Sequence, residues 1–377
     1  MKLLFVNGSR GEWGYIRPLL RLCEERGIDY GICATNMVLL PSHGSLINEI
    51  RSEGFHVSDE IYMSLEGHTQ LSMAKSLGVF LSSFVDTLAR VRPDWVVLAG
   101  DRGEMMMAAI AGAFSYMPIA HIQAGERSGN IDGMTRHAIG KYVHLHFAAN
   151  GDAAERLIRL GEEPMRVHNV GAPQLDELVS EPVSGREDLA RRYSVDLSEP
   201  YLLVVQHPVT EEFGMARDQV QALIAALRTT NMGKIWILPN NDAGANAVRN
   251  EILHSRSPDI HVFANLTRRD YLGFLQHSAC IVGNSSSGIL EAPTFKVAAV
   301  NIGRRQQDRV QASNVVNTEF EPDSIVEAIE RACSAPFQAQ LADCVNPYGD
   351  GKSSARILDI LAATPIDDRL LVKQLTY

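Results

Sequence analysis

Long apolar runs are what this 377-residue sequence most plainly lacks. No stretch reaches the roughly 18 residues that a membrane-crossing helix needs. The apolar opening Leu3 to Val6 breaks at once into Asn7, Gly8 and charge, so the N-terminus reads as a first strand and not as a signal peptide. No membrane partner is expected. Cysteine is also scarce: Cys23, Cys33, Cys280, Cys333 and Cys344 are odd in number, scattered and without CxxC spacing. That usage argues against a disulfide framework and against a zinc site, and it fits a reducing cytoplasm. Positive charge is in deficit, with 35 Lys and Arg against 45 Asp and Glu for a formal net charge of -10. This is the wrong balance for gripping a nucleic-acid backbone, so no nucleic-acid partner is expected. A small anionic ligand held by a few local cations stays open. Two nucleotide-binding signatures are missing as well. The stretch GSRGEWG at 8 to 14 is glycine-rich but is neither GxGxxG nor a loop ending in GK[ST], which weakens the dehydrogenase and ATPase readings.

What is present is the balance of a globular protein, 45% hydrophobic and 21% charged, in a chain long enough for two domains. Short apolar runs alternate with longer helical patterns, and several runs end in Gly, Asn, Asp or His, as parallel strands do when their carboxyl ends line a ligand crevice. In the first half Leu3 to Val6, Trp95 to Ala99, Pro118 to Ile122 and His146 to Ala149 read as strands. The pattern restarts with Tyr201 to Val205, Ile235 to Leu238, Ile260 to Phe263 and Ile281 to Val282. The fold class expected is α/β, with two Rossmann-like doubly wound domains facing a central cleft. The expected divisions are 1–171 for the first domain, 172–200 for a linker rich in Pro, Ser and charge, 201–352 for the second domain, and 353–377 for a C-terminal helix returning to the first.

The feature best suited to phosphate is Gly283, Asn284, Ser285, Ser286, Ser287 and Gly288, a strand end followed by serines that open a helix. Hydroxyls and backbone N–H groups at the positive end of a helix dipole welcome a diphosphate, although the same serines could serve only as a cap. Glu291, one turn further on, could accept ribose hydroxyls or simply be a solvated acid. Arg10, at the end of the first strand, is a candidate nucleotide contact or a surface salt link. The densest polar constellation joins Asp101 and Arg102, then His121, Gln123 and Glu126, then Asp132, Arg136, His137 and Lys141. Asp132 and Arg136, like His137 and Lys141, are spaced i and i+4 on one helix, so carboxylate, guanidinium and imidazole can gather at one end of a sheet. Acids and bases at strand ends suit proton abstraction and return, whereas any one of them alone is more often a surface ion pair. His207, directly after the first strand of the second half, is the best group from that side.

With these motifs laid out, the chain resembles the UDP-N-acetylglucosamine 2-epimerase family, and within it the hydrolysing branch of sialic-acid-type biosynthesis. The resemblance runs through GSRGEWG, GDRGE, HIQAGERSGNIDGMTRHAIGKYVHLHF, QHPVTEE, PNNDAG and GNSSSGILEAP with NIGRRQ, in order over nearly the whole chain. It implies a glycosyltransferase-B-like fold, a nucleotide-sugar substrate, no cofactor, no metal, and a homodimer or homotetramer. It also implies a mechanism, in which a base removes the C2 proton, the nucleoside diphosphate leaves by anti elimination, and water adds to give the free C2-inverted sugar. By position, Asp101 and Asp132 match the acidic catalytic positions, His207 the histidine near the diphosphate, Ser285 and Ser286 the phosphate-binding serines, Glu291 the ribose-binding acid and Arg10 a nucleotide-side contact. Asn241 in PNNDAG and Arg305 in NIGRRQ are carried over as substrate-binding positions. One departure stands out. Many relatives carry an acid or histidine where this chain has Gln123, which cannot act as a base, so Asp132, Glu126 or His137 would take the proton.

UDP-N-acetylglucosamine is the first substrate expected, to be released as N-acetylmannosamine. A UDP-2,4-diacetamido-2,4,6-trideoxy sugar of the legionaminic-acid type is the alternative. The rivals are a non-hydrolysing 2-epimerase, a glycosyltransferase on the same fold, and a silent nucleotide-sugar sensor, which could have lost the carboxylates that Asp101 and Asp132 retain.

Overall fold

The first strand shows why this sequence makes a sheet buried on both sides. Leu3, Leu4, Phe5 and Val6 are all wholly buried, and because side chains alternate along a strand they divide between two cores. Leu3 and Phe5 join one apolar cluster with Trp95, Val97 and Ile122, while Leu4 and Val6 join another with Val96, Leu98 and Ile119. Near-continuous apolar strands of this kind are the mark of parallel sheets covered by helices on both faces. A computed structural model describes the chain except residues 42–44, 66–69, 128–130, 240–243, 256, 265 and 377, and it leaves the side chains of Gln70, Ile131, Asp132, Thr210 and Glu211 undescribed.

The chain divides into two compact units, Met1–Glu177 with Tyr348–Tyr377, and Leu178–Pro347. Unit 1 holds β1 (Lys2–Asn7), β2 (Asp29–Thr35), β3 (Val57–Ile61), β4 (Trp95–Ala99), β5 (Ile119–Ala124), β6 (Leu145–Ala148) and β7 (Val167–Asn169). Among the described residues they form a parallel seven-stranded sheet in the order β3-β2-β1-β4-β5-β6-β7. One face is covered by helices Arg10–Arg26 and Ser353–Ala363, which contribute Ile16, Leu19 and Leu20, and Ile357, Leu358 and Leu361. The other is covered by Gln70–Val91, Gly103–Phe114 and Ile131–Tyr142.

Unit 2 holds β8 (Tyr201–Val205), β9 (Gly233–Ile237), β10 (Ile260–Phe263), β11 (Cys280–Gly283), β12 (Ala298–Ile302) and β13 (Val315–Thr318), parallel in the order β10-β9-β8-β11-β12-β13. Helices Ala216–Thr229 and Pro322–Cys333 bury Val220, Leu223, Ile325 and Ile329 against it. Both sheets are therefore Rossmann-like and doubly wound. Each has one point where the chain reverses its direction of growth, between β1 and β4 in unit 1 and between β8 and β11 in unit 2. In such sheets ligands bind outside the carboxyl ends of the strands at that point.

The stretch 172–200 carries the short helical elements Pro173–Leu175, Asp176–Ser180 and Arg186–Tyr193, and the boundary between the units falls inside it. The segment after Tyr348 is tied into unit 1 by several bonds. The Asp176 carboxylate accepts from the Ser353 and Ser354 amides at 3.0 and 2.6 Å. The Lys373 ammonium reaches the Gly140 and Val143 carbonyls at 2.5 and 3.0 Å, and the Thr376 amide donates to the Gly161 carbonyl at 2.8 Å.

Candidate active site

In unit 1 the strand ends of β4 and β5 gather charge. Asp101 stands two residues past β4, and helix Ile131–Tyr142 presents Arg136, only 5% exposed, to pair with it. The same guanidinium lies 3.5 Å from Glu126, which follows β5 and is itself buried. Burial opposes the Arg136 charge, but Asp101 and Glu126 outweigh it and hold the cation more firmly than in water. Glu126 also accepts from the Asn150 amide at 3.1 Å, and Asn150 in turn caps helix Gly151–Arg159 by accepting from the Ala153 N–H at 2.9 Å. Asp101, Glu126 and Arg136 are thus brought together as one ion-paired set, in which Glu126 and Arg136 are buried, Asp101 is partly exposed, and Nε and Nη1 of Arg136 have no hydrogen-bond partner among the described residues.

Two β5 side chains frame this set. His121 Nε2 lies 2.6 Å from the Gly100 carbonyl, and burial holds the imidazole down to about 3, so it is neutral at pH 7 and donates through Nε2. Gln123 sits at φ +62° where the β5 to β6 register shifts, and its amide donates to Gln174 at 3.2 Å. A non-glycine residue at positive φ in a buried strand is strained, a condition that persists only where the surroundings enforce it. His137, on the Arg136 helix, is kept below its usual range by burial and then by Arg136, which makes it a neutral base. Lys141 turns to Glu162 at 2.8 Å and the Leu160 carbonyl at 2.6 Å instead of joining the cluster. Asp132 lies in the first turn of the same helix, with its side chain outside the described residues. Arg10 opens its helix with a side chain 62% exposed and pairs with Glu49 at 3.3 Å.

In unit 2 the corresponding point is made of amides and hydroxyls. Gly283 ends β11 at φ +130°, and any side chain there would collide with the Val205 carbonyl at the end of β8. This close approach lets Asn284, fully buried, clasp the His207 backbone: its Oδ1 accepts the N–H and its Nδ2 donates to the carbonyl, both at 2.8 Å. The Asn284 carbonyl accepts from Arg305 at 3.1 Å and from Gln306 at 3.0 Å. Ser285 accepts from the Ser287 N–H at 3.3 Å, and Ser286 precedes the helix Ser287–Leu290. That helix is a single turn, so the expected dipole is largely lost and any anion would rest on the hydroxyls and Arg305. Gly288 packs its bare Cα face toward Ala299. Glu291 is not a solvated first-turn acid. It follows the helix, is buried, and pairs with Arg268 at 2.7 Å. Asn241 lies outside the described residues.

Asn150, Gln174, Arg268 and Gln306 join these sets without having been singled out from the sequence. Asn150 and Gln306 stood within reach, one closing a strand and the other inside NIGRRQ, whereas Gln174 and Arg268 meet their partners only through the fold. Among the described residues no three His, Cys, Asp or Glu are grouped so as to hold a metal ion, and no helix is long and apolar enough to cross a membrane.

Two doubly wound units, one with acids at its switch point and the other with serines and amides, make up the architecture of the chain. The same fold occurs in the crystal structure of UDP-GlcNAc 2-epimerase from Neisseria meningitidis bound to UDP-GlcNAc, with a TM-score of 0.82 at 17% identity, covering 97% of this chain and 100% of that one. The family model for UDP-N-acetylglucosamine 2-epimerase matches residues 21–362, and the chain belongs to that family. It is 37% identical, over 100% of its length and 99% of the relative's, to a UDP-N,N'-diacetylbacillosamine 2-epimerase (hydrolyzing) from Legionella pneumophila. It is 30% identical, over 96% of its length and 94% of the relative's, to a UDP-N-acetylglucosamine 2-epimerase from Neisseria meningitidis serogroup B.

Proposed function

We propose that this enzyme is a hydrolysing 2-epimerase that takes a UDP-linked 2,4-diacetamido sugar and releases UDP with the free C2-inverted sugar, as a step toward a sialic-acid-like nonulosonic acid. The observation that carries the substrate class is the end-to-end 37% identity to the Legionella pneumophila enzyme, whose name gives both a diacetamido substrate and hydrolysis. UDP-N-acetylglucosamine is the second reading, favoured by the full-length likeness to the Neisseria meningitidis enzyme.

The C2 hydrogen of such a sugar is not acidic by itself, so its removal must be concerted with departure of the diphosphate. The C1–O bond breaks, UDP leaves with the electron pair, and the C2 proton passes to a base, leaving a C1–C2 double bond. Water then adds at C1 while a proton returns to C2 from the opposite face. In this reading Asp132 is the base by its position in the family motif, and unit 1 also carries Asp101 and Glu126, both paired with Arg136. Gln123 offers a hydrogen bond and no proton acceptor strong enough for C2. By their positions in the family motifs, Ser285, Ser286, His207 and Arg305 of unit 2 are assigned to the diphosphate leaving group and Glu291 to the ribose. Stabilisation that grows as the diphosphate takes on charge is what accelerates such a step.

The test is to incubate the purified protein in heavy water with each UDP-sugar and separate free sugar from nucleotide sugar. Free, C2-deuterated, C2-inverted product is expected, with the diacetamido substrate turned over faster. A product still carrying UDP would place the enzyme in the non-hydrolysing branch.

A further inference from the structure

The turns that end β1 and β4 sit side by side, and each is followed by a helix whose first turn carries a buried glutamate, Glu12 and Glu104. A side chain on Gly8, in the first turn, would collide with the Glu104 carboxyl. A side chain on Gly100, in the second turn, would begin 3.7 Å from Glu12 Cγ. Each glutamate thus lies over the other turn's glycine.

We propose that Glu12 and Glu104 are positioning residues for Asp101: by filling the space over one another's glycines they lock the two strand-end turns together, and so fix the backbone from which Asp101 meets Arg136. The lock is joined from several sides. Glu12 Oε2 accepts the Gly8 N–H at 2.6 Å. Glu104 Oε1 accepts from Asn36, just past β2, at 3.0 Å and from Arg102 at 3.0 Å. Three neighbouring strand ends therefore converge on one carboxylate, and the His121 hydrogen bond to the Gly100 carbonyl holds the same turn from the β5 side. Two carboxylates in one buried spot would repel if both were ionised. Burial, and then Glu104, push the Glu12 carboxyl well above its usual range, and Glu104 is the member that pairs with the Arg102 guanidinium. Arg136, Asp101 and Glu126 form the adjacent ion-paired set, so the two groups divide the work: one holds the turn, the other sets the side-chain pairing of Asp101.

The inference rests on the 2-epimerase reading for its kinetic readout alone. In the full chain, Glu104→Ala should lower kcat by about tenfold or more, as a sub-ångström displacement of a reacting group does, with KM and UDP affinity changed less than about threefold. Gly8→Ala, which forces a methyl against Glu104, should lower kcat comparably, and the pair combined should be no worse than Glu104→Ala alone. Glu12→Gln, a neutral isostere, should restore most of what Glu12→Ala loses. A folded Glu104→Ala enzyme with kcat within about twofold of the parent would overturn the lock, and so would full multiplication of the Gly8→Ala and Glu104→Ala effects. If the parent turned over neither UDP-sugar, the epimerase reading would fall, and the lock would be judged by hydrogen exchange. There the Gly8 amide should lose protection in Glu12→Ala and Glu104→Ala, and unchanged protection in both would refute it.

Discussion

The two units solve the same topological problem with opposite chemistry. Both are parallel sheets with one switch point, β1/β4 in unit 1 and β8/β11 in unit 2. Beside the first stand Asp101, Glu126 and Arg136, ionisable groups that pair through the buried Arg136 guanidinium. Beside the second stand Asn284, Ser285 and the His207 backbone, joined by neutral hydrogen bonds. A buried charged set can move protons because small changes in its surroundings shift which member carries them. A neutral amide and hydroxyl set changes little with protonation and can instead take up a ligand's charge. Fold alone dictates neither role, and the residues at the strand ends decide it.

The sharpest way to break this comparison is Asp132→Asn, which keeps size and capping ability but removes the basic oxygen. Turnover and C2 deuterium exchange should both fall by about 10²- to 10⁴-fold, the usual worth of a general base, while UDP binding by calorimetry stays nearly unchanged. Near-normal exchange would make Asp132 a structural partner of Arg136 and would shift the proton to Glu126 or His137. Ser286→Ala is the converse experiment. UDP affinity should weaken by on the order of 1.5 to 3 kcal/mol, the worth of a hydrogen bond to a charged group, with the folded state intact by circular dichroism. If Asp132→Asn weakened binding while Ser286→Ala left it untouched, the division between the units would be lost.

The smallest effect expected concerns acid stability, and it belongs to unit 1. Burial works against the Glu162 charge, but His146 at 3.1 Å, Lys141 at 2.8 Å and Lys373 at 2.6 Å outweigh it and bring the carboxyl down to about 2. A carboxyl lowered in the fold adds stability above its ordinary value near 4.5 and loses it as pH falls toward 2. Glu162→Gln should therefore flatten the fall in unfolding free energy over that window, by on the order of 1 to 2 kcal/mol once partial screening is allowed for. Parallel urea-denaturation curves for the two proteins across that window would show that Glu162 carries none of this linkage.

Strands buried on both faces were the legible part of the fold. Trp95–Ala99, Tyr201–Val205 and Ile260–Phe263 begin and end where their apolar runs do, and helix Ser353–Ala363 follows its periodicity. Of the five strands that the apolar runs did not reveal, three lack that signal for identifiable reasons. Val57–Ile61 is an edge strand whose three middle residues are all polar, Val167–Asn169 is three residues long, and Ala298–Ile302 is buried but opens on two alanines of low strand propensity. Of the candidate site, the residue types and their strand-end placement could be read from the motifs, and the grouping of Asp101 with Arg136 followed from spacing and topology. The burial of Glu291 on Arg268 could not, because it joins residues 23 positions apart through a tertiary ion pair. Nor could the strain at Gln123, since a positive φ leaves no trace in the identity of a non-glycine residue.

Because unit 1 is completed by Tyr348–Tyr377, its order of assembly differs from its order in the chain. A ribosome delivers Met1–Glu177 first, then all of the contiguous Leu178–Pro347, and only afterwards the helix whose Ile357, Leu358 and Leu361 cover Ile16, Leu19 and Leu20. During synthesis unit 2 has its full complement of residues while unit 1 still exposes that apolar groove. The nascent protein is therefore most prone to chaperone capture and aggregation late in translation, and a stop codon shortly before residue 353 would leave the earlier-made unit as the unfinished one.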